Sequence, residues 1–147
     1  THIDSHEGAL FFDQNIFKTY LELGEENQLP VFVPRDVAVH FDKNFPKPEN
    51  VVIVENFHMA LPSLEFKDWN TYYVNIIENL KPGLSEIIVH LGYDDKEMQQ
   101  ITVEHPNYGS KWRSLDMDVV SSENFKLALK DNNIKLVTWK DIQNVIY

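Results

Sequence analysis

The chain has 147 residues, 43% hydrophobic and 24% charged, the balance of an ordinary globular domain, which excludes a disordered or fibrous protein. Acidic residues outnumber basic ones 23 to 13, and a formal charge of -10 with no basic cluster excludes a nucleic-acid partner. Cysteine is absent, so disulfides, thiolate nucleophiles and cysteine-based zinc sites fall away together, and any metal must be held by His, Asp or Glu.

The size fits a single domain over residues 1–147. No apolar run approaches the roughly 20 residues of a membrane helix, and no signal peptide opens the chain, so no membrane partner and a cytoplasmic location are expected. The first residue is Thr1 rather than Met, which leaves room for a removed leader.

In chain order, Thr1 to Ser5 reads as a short strand and Asp13 to Asn27 as a helix whose Ile16, Phe17, Tyr20 and Leu21 share a face. Leu29 to Val33 reads as a buried strand, and the proline-containing stretch Asn44 to Asn50 as a surface loop. The β-branched run Val51 to Val54 is a further strand. Trp69, Tyr72, Tyr73, Ile76, Ile77 and Leu80 form a wide helical stripe that Pro82 and Gly83 terminate.

Glu86 to His90 reads as a strand, Asp95 to Ile101 as a helix and His105 to Lys111 as a loop. Ser122 is placed to cap a helix with Phe125, Ala128 and Leu129 inward, before a strand Ile134 to Val137 and a closing helix from Lys140.

Alternating strands and helices predict an α/β fold with a parallel sheet, either open or closed into a barrel. In both, functional groups gather beyond the C-terminal ends of the strands. That rule selects His6, Arg35, Asn56 to His58, His90 to Asp95, and Thr138 to Trp139.

In Thr1-His2-Ile3-Asp4-Ser5-His6, a period of two places His2, Asp4 and His6 on one strand face. Neighbours on such a face lie roughly 6–7 Å apart, too far for all three to reach one small ion. His6, at the outer end, is therefore the candidate metal ligand. His2 and Asp4 lie deeper, where Asp4 could orient a histidine by accepting its ring N–H. A polar strand end satisfied by ordinary hydrogen bonds is the alternative.

The run Ile87-Ile88-Val89-His90-Leu91-Gly92-Tyr93-Asp94-Asp95 ends an apolar strand in a histidine and an acidic turn, where a capping or core-edge histidine is the alternative to a catalytic one. A histidine ligand and a histidine acid on different strand ends suit metal-assisted hydrolysis.

These residues carry a family resemblance. Thr1-His2-Ile3-Asp4-Ser5-His6 resembles the Thr-His-x-Asp-Ser-His signature of the YdjC-like (ChbG-type) carbohydrate deacetylases. Pro82-Gly83-Leu84-Ser85-Glu86-Ile87-Ile88-Val89-His90 is similar to the family's later Pro-Gly-x-Thr-Glu-[apolar]-His-Pro strand. Lys111-Trp112-Arg113, the Ser122 to Leu129 stretch and Ile134 to Asp141 resemble the family's C-terminal end, so the likeness covers essentially the whole chain.

The resemblance implies a parallel (β/α) barrel-like fold that is incomplete, because the family's N-terminal strands, with their Asn-Ala-Asp-Asp-Phe-Gly and Gly-x-His-x-x-Leu segments, have no counterpart. It makes His6 a ligand to a divalent ion (Zn, Mg, Co, Ni or Mn) and His90 the proton donor or transition-state stabiliser. His2 and Asp4 become supporting groups. The implied reaction is metal-dependent removal of acetyl groups from N-acetylated sugars or oligosaccharides, with the isolated chain inactive. Glu7-Gly8-Ala9-Leu10 stands where the family often continues with histidines, and Leu91 stands where proline is usual.

Substrate-binding candidates on the same rim are Arg35, whose guanidinium could hold a carboxylate or sugar oxygens, with His58, Tyr93 and Arg113. Arg35 has a structural ion pair as its alternative, His58 a loop hydrogen bond, and Arg113 a salt bridge to Asp116 or Asp118. Tyr93, Tyr108 and Trp112 could stack on a pyranose, or simply pack.

A catalytically silent carbohydrate-binding or interaction domain is the competing function. A phosphoesterase would need a denser His/Asp cluster, and the Gly-x-Ser-x-Gly turn of a serine hydrolase is absent. Half a barrel would leave sheet edges and apolar surface uncovered, so association with the N-terminal segment or as a homo-oligomer is expected.

Overall fold

A computed structural model of the chain describes residues 1–38 and 50–147. The chain divides into two compact units, Thr1–Asn56 with Leu136–Tyr147, and Phe57–Lys135.

In the first unit, helix α1 (Gln14–Glu26) starts at Asp13, whose carboxylate caps the backbone N–H groups of Asn15 and Ile16. It buries Phe17, Tyr20, Leu21 and Gly24, while Ile16, expected inward, is 48% exposed. Gly24 is where helix and sheet meet most closely, since a Cβ there would run into Val31, Asn50 and the Leu29 carbonyl. Strands β1 (Val31–Pro34) and β2 (Val51–Val54) pair in parallel, Val31 opposite Val51. The short helix α2 (Arg35–Ala38) continues directly from β1.

The N-terminal strand contracts to one bridge, Ile3 to Val31. Ser5 is the reason: its hydroxyl accepts the Leu10 N–H at 2.9 Å, and the chain turns there into a 3-10 helix, His6–Phe11. Glu7 and Gly8 then take left-handed backbone angles, φ 52° and 70°. The strand alternation expected to align His6 with His2 and Asp4 therefore ends before His6.

Residues 44–49 of the expected surface loop lie outside the described residues. Asn50 itself is buried, its side chain donating to the Leu29 carbonyl at 3.2 Å. Helix α7 (Trp139–Ile146) closes this unit on a reciprocal capping box between Thr138 and Asp141.

In the second unit, strand β3 (Asn56–Met59) pairs with β4 (Ser85–Ile88). Helix α3 (Trp69–Asn79) buries Trp69, Tyr73 and Ile77 at i, i+4 and i+8, and these residues form the core with Ala60, Trp112, Val119, Phe125 and Ala128. Helix α4 (Lys96–Ile101) is capped by Asp95, and α6 (Glu123–Asp131) by Ser122.

One helix in this unit has no sequence expectation behind it, and one expected strand fails. Helix α5 (Ser110–Ser121) occupies a region with no clear apolar stripe, because one of its buried positions is Asp116. The strand expected over Ile134 to Val137 does not form: the Ile134 N–H closes the end of α6 on the Leu129 carbonyl, and Leu136 is 77% exposed.

The architecture is thus mixed α/β. Among the described residues the strands form two two-stranded sheets, and the expected barrel is not closed by them.

Candidate functional site

The first unit holds His2, Asp4, His6 and Arg35. The His2 ring stacks on Trp139 of α7, with centroids 4.3 Å apart and planes within 8°. Burial lowers its pKa, against a smaller raising influence from Asp4. Asp4 accepts the Ser5 N–H at 2.6 Å, and His6 is exposed at the start of the 3-10 helix. Arg35, at the end of β1, engages both carboxylate oxygens of Glu55. The pair holds the Glu55 carboxyl below and the Arg35 guanidinium above their ordinary values.

The described residues contain no group of three or more His, Asp and Glu side chains placed to hold a metal ion. Their donor set does not fit a closed divalent site, so no chemical step is routed through one.

The second unit holds His58, His90, Tyr93 and Arg113. His58 is half-buried in β3, and burial lowers its pKa. Tyr93 is 68% exposed. His90 follows β4 at the edge of a dense polar and aromatic cluster centred on Asp116, which is completely buried.

Three donors converge on the Asp116 carboxylate: Trp69 Nε1 at 2.8 Å and Tyr73 Oη at 2.7 Å on Oδ1, and the His90 backbone N–H at 2.8 Å on Oδ2. Oδ2 also lies 3.9 Å from His90 Nδ1. The arrangement is self-consistent, because a buried carboxylate is tolerated only when its lone pairs are met by donors. Tyr73 is pushed far above the usual phenol range, first by burial and then by this bond, so it remains a donor. Burial lowers the His90 pKa, Asp116 opposes that, and Arg113 adds to it.

Sequence reading offered Asp116 only as a salt-bridge partner for Arg113. Instead Arg113 donates its Nε–H to the Tyr108 carbonyl at 2.8 Å. Trp112, considered for sugar stacking, is 2% exposed and packs edge-on against Trp69 in the core. The signal that could have revealed Asp116 is its spacing from Trp112 and Val119, one helix face at i, i+4 and i+7.

The loop after His90 is tied to the start of α5. Asp94 accepts Ser110 Oγ at 2.6 Å and Gln99 Nε2 at 2.9 Å, and these bonds lower its pKa. A Cβ on Gly92 would sit 3.2 Å from Arg113 Cβ, so loop and helix are in close contact there.

With this geometry in place, comparison with known proteins decides the family. The family model described as YdjC-like protein matches residues 1–131. The chain belongs to the YdjC-like family. A curated relative, "Carbohydrate deacetylase" of Thermoanaerobacter pseudethanolicus (strain ATCC 33223 / 39E), is 24% identical over 139 residues, covering 95% of this chain and 51% of that protein. The chain therefore spans about half the length of the curated relative it matches.

A crystal structure from Enterococcus faecalis V583, of a protein named for cellobiose-phosphate cleavage, superposes with a TM-score of 0.67 at 17% identity. It covers 96% of this chain and 52% of that one, and it supports the YdjC-like fold. No helix among the described residues is long and apolar enough to cross a membrane.

Proposed function

We propose that the chain forms the proton-donor side of a carbohydrate deacetylase acting on N-acetylated sugars or oligosaccharides. The observation that carries this reading is the seating of His90 on buried Asp116 in a member of the YdjC-like family, one of whose relatives is named for that activity.

In the proposed reaction, water adds to the acetyl carbonyl carbon and gives up its proton to solvent, the C–N bond breaks and acetate leaves. The amine nitrogen takes its proton from His90, which regains one from solvent. Asp116 beside Nδ1 favours the imidazolium and leaves Nε2, across the ring, as the donating atom. Because burial outweighs Asp116, the free protein's donor is half-protonated below the ordinary histidine value of 6.5. Among the first-unit residues, His6 is the candidate metal ligand, His2 and Asp4 its supports, and the remaining ligands would come from outside the described residues. Arg35, His58, Tyr93 and Arg113 are the candidates for holding or framing the substrate, and association with an N-terminal segment or as a homo-oligomer belongs to the same reading.

The test is metal content and acetate release from N-acetylated chito-oligosaccharides, for the 147-residue chain and for a version extended by the coding sequence upstream. The reading expects bound metal and acetate release in the extended protein, both reduced by His6→Ala. The absence of ligand convergence among the described residues favours one alternative, a non-catalytic carbohydrate-binding domain. If neither form holds metal or releases acetate, catalysis is abandoned and that alternative is adopted.

A further inference from the structure

Tyr108 has a backbone φ of +61°, a left-handed conformation that a bulky aromatic residue rarely adopts. It immediately precedes Gly109, the residue before α5. The turn is tight at that next residue as well, since a Cβ on Gly109 would lie 2.5 Å from the His105 carbonyl oxygen. Arg113, one turn into α5, holds the strained residue by its bond to the Tyr108 carbonyl, and its aliphatic stem lies against Gly92 in the loop after His90.

The result of this strain is the placement of one ring. The Tyr108 ring centroid is 4.8 Å from that of His90, with planes tilted by 50°, and 4.5 Å from that of Trp112. Trp112 is fixed edge-on against Trp69, which itself donates to Asp116. His90 is thus bounded by Asp116 on its Nδ1 side and by an aromatic ring anchored to the core. A left-handed tyrosine that served only to close a turn would have no need of this contact, and glycine would close the turn without strain.

We propose that Tyr108 is the positioning residue for His90, its ring fixing the imidazole so that Nδ1 stays beside Asp116 and Nε2 is presented outward. The value of that placement for proton transfer rests on the deacetylase reading, whereas the placement itself does not. Arg113 acts through Tyr108 as the clasp that keeps the left-handed turn closed. The charged and titratable groups that bear on His90 are Asp116 and Arg113, with Tyr108 the ring in contact with it.

The experiment is side-chain NMR of His90 in the 147-residue chain, following its ring protons, its nitrogen tautomer ratio and its titration midpoint. Tyr108→Gly suits the left-handed backbone and removes only the ring, so the turn is kept. Tyr108→Asn is a second variant compatible with the same backbone, in case the glycine chain does not fold. With either, the His90 ring protons lose their ring-current shift, the tautomer ratio evens out, and the midpoint rises toward 6.5 as burial is relieved. Tyr108→Phe keeps all three at wild-type values. The proposal is overturned if Tyr108→Gly or Tyr108→Asn leaves them unchanged, or if Tyr108→Phe moves them as far as glycine does. Failure of the acetate-release assay with these NMR changes present would remove the deacetylase reading and leave the positioning role standing.

Discussion

Asp116 Oδ2 accepts the backbone N–H of His90 at 2.8 Å and lies 3.9 Å from the same residue's Nδ1, so one carboxylate oxygen fixes both the main chain and the ring side of His90. Asp116→Ala would strand three donors, from Trp69, Tyr73 and His90, in a buried site. At about 1–3 kcal/mol per unsatisfied group, a loss of about 3 kcal/mol or more is expected in urea unfolding. Asp116→Asn keeps Oδ1 for Trp69 and Tyr73 but sets an amide donor against the His90 N–H, and about 1–2 kcal/mol is expected. Equal losses in the two variants would mean that the converging donors do not set the cost.

The stability of the chain should fall on mild acidification. His2, His58 and His90 all have folded pKa values lowered from 6.5 by burial, so the unfolded chain binds protons more readily through each. A neutral histidine in both states contributes nothing, and the penalty grows as pH falls through 6.5 and levels off below the folded values. Urea midpoints at pH 7.5 and pH 5.5 should therefore differ, the acid one being lower, and His90→Gln should remove part of the difference. A midpoint higher at pH 5.5 would contradict the assigned burial of these imidazoles.

Gly109→Ala tests the turn that carries Tyr108. The new Cβ would fall 2.5 Å from the His105 carbonyl oxygen, which is backbone and can move only with the turn. A destabilisation of about 1–3 kcal/mol is expected, with a change in the His90 signals that accompanies displacement of Tyr108. Wild-type stability and unchanged His90 signals would show that the turn relaxes without cost.

Much of the fold was legible because its residues obey the periods that regular structure imposes. The β-branched run Val51 to Val54 is β2, and Phe17, Tyr20 and Leu21 share the buried face of α1. Asp13, Ser122 and Thr138 mark three helix starts, and the last of these places α7 one residue before the expected Lys140. Helix α5 was hidden by the residue that matters most to the site, since a carboxylate at a core position breaks the apolar stripe by which a helix is recognised. The strand expected at Ile134 to Val137 failed for the opposite reason, because its β-branched residues are used in leaving α6 and entering α7.

The candidate histidines were legible from position alone, His6 and His90 each following an apolar or extended segment. What completes His90 was not, because Asp116, Tyr73 and Trp69 are brought to it by tertiary packing from distant parts of the chain. The left-handed backbone of Tyr108 likewise leaves no mark on the sequence beyond the glycine that follows it.

Proton transfer from His90 to the leaving amine is read by kcat/KM for acetate release as a function of pH, in the wild-type extended protein and in His90→Gln. If His90 is the donor, activity declines as pH rises past its lowered pKa, and His90→Gln loses about 10²–10⁴-fold with the folded structure retained. A His90→Gln protein with wild-type kcat/KM and an unaltered pH profile would contradict it.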